Sequence, residues 1–402
     1  LRIDAPDRFT GGYAGKEGKR RKEVVISSNH AVVLRDDQGF YQGERGMKRA
    51  LTILITVAML FGCLAVVSAT PVTGKVIGFV NAGPDDYYAQ FGDSLVAIAN
   101  SYGMKVVQVN SNYKPEKELA NVQDLIAKGV DAIAVITAGA AGSAKSIKAA
   151  NDAKVPIFFI AGEPELPEGG GSFTGHVTDN FVIMGYKIGQ WIAKKYPNST
   201  SAEIPGFLGQ GPAEGEIVGY QLAMDEAKMP PVIMLKSADW QRTKAIPVTE
   251  DLIASGKQFD VMFAANEEEA AGVIQVFKEQ GIKGKVIVSN NGKEDAWKWM
   301  KDGLMAATVP NPPSLNADLC VQQIVRCLTG QKFVSDLQIT PFDVLTKDNL
   351  DKAIPWNTAN YMKARAANKF EWHLDFYEKQ YLANKQAFAD FDAKVKAYMA
   401  SH

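Results

Sequence analysis

The chain is poor in the residues that carry most enzymatic chemistry. Its 402 residues include four histidines, at positions 30, 176, 373 and 402, and three cysteines. The histidines are too scattered to suggest a metal cluster, and no Cys-x-x-Cys pair occurs, so neither a zinc nor a redox site is expected. No Ser-His-Asp or Cys-His arrangement can be argued from so few histidines. Carboxylates are plentiful, but nothing singles out an acid/base pair. The expectation is a protein that is not an enzyme and uses no cofactor or metal. An excess of one charge is also missing, since the formal net charge is −1. A nucleic-acid binder needs a basic face, so no nucleic-acid partner is expected. Phosphate loops are absent too. Gly209-x-Gly211-x-x-x-Gly215 misses the G-x-G-x-x-G spacing, and no G-x-x-x-x-G-K-[ST] occurs.

One long apolar run stands out, Ala50 to Val67. Met47-Lys48-Arg49 precedes it and Ser68-Ala69-Thr70-Pro71 follows. A basic start, an apolar core and small residues before a cut make a secretory signal peptide over 47–69, cleaved after Ala69. The expected location is the periplasm. Met47 is the first methionine, so residues 1–46, polar and glycine-rich, read as an upstream extension outside the working protein; the alternative reading is a genuine disordered N-terminal arm. Two other readings of the apolar run stay open. About twenty apolar residues at about 1.5 Å each could span a bilayer as an uncleaved anchor. Leu60-Phe61-Gly62-Cys63 loosely resembles a lipid-attachment box.

The rest of the chain is rich in apolar runs and turn residues, and long enough for two domains with cores of their own. Lys75 to Val80 reads as a strand, Ala89 to Tyr102 as a helix, Lys105 to Val109 as a strand, and Pro115 to Lys128 as a helix. This alternation continues to about residue 330 and predicts an α/β fold with parallel sheets. Ligands of open α/β sheets sit beyond the carboxyl ends of the strands. There the sequence places Asp85, Asp86, Tyr87 and Tyr88, then Glu163, Glu216, Trp240, Asn266, Asn291 and Asn311. A single Asn at such a place is as readily a turn or helix cap. Their recurrence along both halves, taken together with the chain's resemblance to a known family, favours a binding site. Asp179 or Asn180 is the expected N-cap of a helix over Phe181 to Lys195. Cys320 and Cys327 lie about 10.5 Å apart on a straight helix, beyond the ~7 Å reach of a disulfide, and are expected in the core.

Tyr87-Tyr88 ahead of the first helix, and the run from Lys117-Glu118-Leu119 to Gly129-Val130-Asp131, resemble the periplasmic sugar-binding proteins of the ribose-binding type. The resemblance covers roughly Lys75 to Leu350. It implies two Rossmann-like parallel-sheet domains joined by hinge crossovers, the type I periplasmic binding protein fold. One domain would hold 72–177 plus 311–340, the other 178–310 plus 341–350, with a helical tail over 351–402. The implied function is capture of a small sugar-like ligand by hinge closure and delivery to an ABC transporter permease. A membrane receptor is the alternative partner, for a sensor of a signal molecule such as an autoinducer. A monomer is expected. A regulator of the lactose-repressor type shares the fold, but would need a helix-turn-helix before residue 75.

By resemblance, Tyr87 and Tyr88 take the paired-aromatic position and Trp240 the stacking aromatic. Asn266 and Asn311 take amide positions. Three departures follow. Ala161-Gly162, with Glu163 next, replaces an Asp-Arg pair. Glu214 or Glu216 stands where an Arg is expected, and Asn291 where an Asp is. Carboxylates in place of cations suit a ligand rich in donors: a polyol, an amino sugar or another amine. Outside the resemblance, Phe370, Leu374, Tyr377, Tyr381, Phe388, Phe391, Val395 and Tyr398 recur at helical spacing. They predict a long tail helix docked on the body.

Overall fold

The computed structural model describes the backbone of residues 23–26 and 32–35 and residues 71–402, except 210 and 340–342 and the side chains of 140–141. The chain forms two compact units, Leu1–Ser68 and Ala69–His402. In the first, strands β1 (Glu23–Ile26) and β2 (Val32–Arg35) pair antiparallel. The signal peptide expected over 47–69 lies outside the described residues. Among those described, no helix is long and apolar enough to cross a membrane.

The second unit is built on two parallel sheets. The first sheet runs β4 (Lys105–Asn110), β3 (Val76–Asn81), β5 (Ala132–Val135), β6 (Ile157–Ile160), β7 (Gly175–Asp179) and β13 (Asp336–Ile339). Strands β5 and β6, Ala-Ile-Ala-Val and Ile-Phe-Phe-Ile, are buried at every position. Such unbroken apolar runs are what a sheet covered by helices on both faces requires. The covering helices are α1 (Asp86–Ser101), α2 (Pro115–Ala127) and α3 (Ala140–Ala153).

After β7 the chain crosses to the second lobe through α4 (Phe181–Lys195), whose first turn is capped by the Asn180 side chain accepting from the Ile183 N–H. The second sheet runs β9 (Ile233–Met234), β8 (Ser201–Ile204), β10 (Val261–Ala264), β11 (Val286–Asn291) and β12 (Ala307–Pro310), all parallel. Between these strands lie α5 (Gly211–Glu226), α6 (Arg242–Ala254), α7 (Glu267–Glu279) and α8 (Glu294–Lys301). The chain then returns: α9 (Pro313–Leu328) packs on α1, β6 and β7 of the first lobe. It goes back once more as Leu345 bridges Thr308 of the second. Each lobe thus has a sheet, covering helices and buried apolar clusters of its own.

Two expectations change. The strand expected over Ala202 to Leu208 stops at Ile204, because Pro205 has no N–H for the ladder. The tail is two helices, α10 (Thr358–Ala366) and α11 (Leu374–Ser401), so Phe370 belongs to the link between them. Leu374, Tyr377, Phe388 and Val395 of the aromatic stripe are buried. Cys320 is buried and Cys327 half-buried, and both are free thiols.

Candidate functional site

The carboxyl ends of the two sheets face each other across a cleft. From the first lobe, α1 brings Tyr87 and Tyr88 into it. Asp85 caps that helix, accepting from the Tyr88 N–H at 3.1 Å, and its other oxygen accepts from the Tyr113 hydroxyl. Burial pushes the Asp85 carboxyl above its usual range, against the pull of the Tyr113 hydrogen bond.

The second lobe supplies Glu216, Trp240, Asn266 and Asn291. Glu216 lies on the first turns of α5, which crosses α4 so closely that a Cβ on Gly219 would meet the Val182 carbonyl oxygen at 1.8 Å. Trp240 has left-handed backbone, φ +65°, and its indole lies flat against Gly206, where a Cβ would sit 2.2 Å from the ring. Asn266 caps α7, accepting from the Glu269 N–H at 2.8 Å, and its amide donates to the Trp240 carbonyl at 3.3 Å. The helix-cap reading of this asparagine therefore holds, and the same residue lines the cleft. Asn291 ends β11 with φ +98°.

Asn311, at the return to the first lobe, links the two walls. Its Oδ1 accepts from the Tyr87 hydroxyl at 3.2 Å and from the Asn316 amide at 3.1 Å. Asn316 also donates to Asp179 Oδ2 at 2.6 Å, and burial lifts that carboxyl to about 7.

Asp85, Tyr87, Tyr88, Glu216, Trp240, Asn266, Asn291 and Asn311, with Ala161, Phe181 and Pro212, line a partly open cavity whose empty space, open solvent included, is about 450 Å³. A smaller chamber of about 310 Å³ adjoins it, sharing Asp85, Tyr87, Trp240, Asn266 and Asn291 and adding Asp86, Glu267, Glu268, Lys293 and Trp356. Two contacts cross the mouth of the cleft. Lys293 of the second lobe reaches Asp86 of the first at 2.5 Å and Glu268 at 3.0 Å. Tyr113 and Phe207 stack with centroids 6.4 Å apart. The lobes are therefore closed on each other. Burial opposes the Lys293 charge, but Asp86 and Glu268 outweigh it and hold the ammonium firmly protonated.

Glu163 does not reach the cavity, contrary to expectation. The chain turns at Ala161, φ +53°, and the His176 ring holds the Gly162 carbonyl at 2.8 Å. Glu163 is exposed and faces His176 and Asp336 on the outer strands of the sheet. Ala161 lines the cavity instead. Pro212, Glu267, Glu268 and Lys293 on this cleft were not foreseen, nor were two aromatic residues. Phe181 follows the Asn180 cap directly, and an aromatic at a capped crossover was a usable signal. Trp356 comes from the tail; its Nε1–H donates to the Asn291 carbonyl at 2.8 Å and its ring meets Tyr87 edge-on at 5.3 Å. Nothing local in the sequence announces it.

Among the described residues, no group of His, Cys, Asp and Glu is placed to hold a metal ion. The cleft offers aromatic faces, amides and carboxyls, a set that suits hydrogen-bonded capture of a polar molecule. A model of the periplasmic binding protein domain matches residues 77–332. The chain belongs to that family. This binding protein is 28% identical to the ribose import binding protein of Haemophilus influenzae, over 71% of its own length and 96% of the relative's. It is 27% identical to the galactofuranose-binding protein of Escherichia coli, over 67% and 86% of the two chains. In structure it is similar to the binding component of a Shewanella arabinose ABC transporter, solved with L-arabinofuranose. The TM-score is 0.63 and the identity 25%, covering 74% of this chain and 99% of that one. A Bacillus halodurans solute-binding protein solved with myo-inositol shares the fold, with a TM-score of 0.65 and 22% identity over 72% and 99%.

Proposed function

We propose that this protein captures a small, sugar-like polar solute between its lobes and delivers it to an ABC transporter in the membrane. The observation that carries this reading is the cavity itself. It lies where the two lobes meet, and aromatic and amide side chains from both lobes and from the hinge converge on it. Stacking faces suit the C–H patches of a sugar, and amides and carboxyls suit its hydroxyls. Family membership and relatives named for ribose, galactofuranose and xylitol binding support the same reading. Under it, the working protein is an exported monomer in the periplasm, starting near Thr70. Residues 72–177 with 311–340 form one moving body, and 178–310 with 341–350 the other. Asp85, Asp86, Tyr87, Tyr88, Glu216, Trp240, Asn266, Asn291 and Asn311 contact the ligand.

The test is a thermal-shift screen of pentoses, hexoses, amino sugars and polyols, followed by calorimetry on each hit. Trp240→Ala is expected to weaken binding by about 1 kcal/mol or more, through lost stacking and apolar contact. A screen in which no sugar or polyol raises the melting temperature would overturn the reading.

A further inference from the structure

We propose that the solute is cationic: an amino sugar or amino polyol whose protonated amine seats against Glu216 among the aromatic faces of the cleft. This rests on the reading of the cleft as a polyol site and adds the charge of its ligand.

The argument starts from the charges in the cavity. Among the described residues, its lining includes the carboxyls of Asp85 and Glu216 and no lysine, arginine or histidine. Asp85 is already occupied by the Tyr88 N–H and the Tyr113 hydroxyl. Glu216 is different. It is 2% exposed, and its Oε2 has no hydrogen-bond partner among the described residues.

Among the described residues, no cation near it answers the charge. From β8, Glu203 faces it; from α7, Glu267 and Glu269; from β11, the neutral amide of Asn290. From its own helix, Tyr220 lies one turn on, beside Glu203. Helix α4 packs along α5, but its half-buried Lys187 is paired in charge with Asp343. Lys293 of the adjoining chamber is held by Asp86 and Glu268. A buried carboxylate with no counter-ion is strongly disfavoured unless it takes up a proton or meets a cation. Burial, reinforced by the three other glutamates and opposed by the Asn290 amide, pushes the Glu216 carboxyl well above its usual range. An ammonium would supply the missing charge and return it to the carboxylate form.

The aromatic lining points the same way. Tyr87, Tyr88, Phe181 and Trp240 all line the cavity. Ring faces attract a desolvated cation through their quadrupoles, Trp most strongly. Neutral sugars use stacking as well, so the rings alone do not decide. Their combination with a buried, unanswered carboxyl does. The rival arrangement keeps Glu216 protonated as a donor to a neutral hydroxyl, and the two differ in the sign of their pH dependence. An ammonium needs the carboxylate, so its affinity falls on acidification as Glu216 gains a proton. A neutral ligand receiving a hydrogen bond from the acid form loses affinity as the pH rises.

The experiment is calorimetry on the full chain with matched pairs: D-glucosamine against D-glucose, D-galactosamine against D-galactose. 1,4-Diaminobutane serves as an amine without hydroxyls. At least one amino sugar is expected to bind about 30-fold or more tightly than its parent, with affinity falling at acid pH. Glu216→Gln should remove most of that preference, bringing the affinities of amino sugar and neutral parent to within about threefold of each other, and should abolish the loss of affinity at acid pH. Equal or tighter binding of the neutral parents overturns the proposal and leaves the polyol reading standing. Binding of 1,4-diaminobutane with no response to any sugar overturns the polyol reading and leaves the cationic site standing. Silence from every probe overturns both. The wild-type pairs decide the matter even if the variant fails to fold.

Discussion

Carboxyls are buried under the C-terminal helices and in the second lobe, and the two regions treat them in opposite ways. Under the tail, Asp318 of α9 is fully buried but met by Arg365 of α10 at 2.5 Å and by the Tyr361 hydroxyl at 2.8 Å. Glu378 of α11 is met by Arg326 at 3.0 Å and accepts from the Val334 N–H at 2.7 Å. In the second lobe, Glu203 is fully buried with both oxygens unpartnered, and Glu216, Glu267 and Glu269 each keep one such oxygen among the described residues. A paired buried charge does the work of attachment, because breaking the pair is far worse than leaving it intact. Unanswered carboxyls weaken the fold that holds them. Their place at and behind the cleft is understandable if a ligand completes them.

Removing the paired side altogether has the largest expected effect. Deleting residues 366–402 strips α11 from β13 and α9 and leaves Arg326 without Glu378. Buried Leu374, Tyr377, Phe388 and Val395 go with it, each worth about 1.5–3 kcal/mol of burial. The melting temperature should fall sharply. The ranking of ligands should not change, since Trp356 and the cavity residues all precede the cut. A changed ranking would mean that the tail reaches the site by more than Trp356.

Next in size is Arg365→Ala. It leaves Asp318 without a counter-ion, held by the Tyr361 hydroxyl and the Gln322 amide, and the loss expected is about 3 kcal/mol in denaturant unfolding. A loss under about 1 kcal/mol would show that the pair does not set the attachment.

The unpaired side is probed by pH. Burial raises Glu203 and Glu267 to about 8, from 4.5. A carboxyl with a raised folded-state value binds more protons folded than unfolded. Stability of the ligand-free protein should therefore fall as pH rises from about 4.5 to about 8, then level off. Glu203→Gln should flatten that slope and stabilise the protein by about 1–2 kcal/mol at the alkaline end, part of the gain being offset by the buried amide. A stability that rises over this range would contradict the unanswered-charge picture.

The same contrast marks how much could be read from sequence. Strands such as Ile157–Ile160 announce themselves by unbroken apolar runs, and Asn180 and Asn266 by their place ahead of helices. The cleft residues followed, because strand ends are found by counting along such runs. Glu163 failed because a left-handed turn at Ala161 redirects the chain, and no local pattern marks it. Trp356 and the Arg365–Asp318 pair depend on partners 65 and 47 positions away. A carboxyl's letter in the sequence does not say whether a cation will meet it.

The smallest expected effect on stability lies at the far end of α11, where the tail meets the other lobe. Lys394 reaches Glu226 of α5 at 2.6 Å and the Tyr186 hydroxyl at 3.0 Å, and the Tyr398 hydroxyl donates to Asp225 at 2.6 Å. These groups are half-exposed or exposed, so each contributes about 0–1 kcal/mol. Lys394→Ala with Tyr398→Phe should barely move the unfolding midpoint. Yet the start of α11 is seated on β13 and α9 of the first lobe and its end on α5 of the second. Opening the hinge must stretch or release the distal contacts. Weakening them should therefore shift the ligand-free protein toward the open form, visible as a larger radius of gyration in solution scattering. An unchanged radius would mean that these contacts ride along with the hinge and leave closure to Lys293–Asp86 and Tyr113–Phe207.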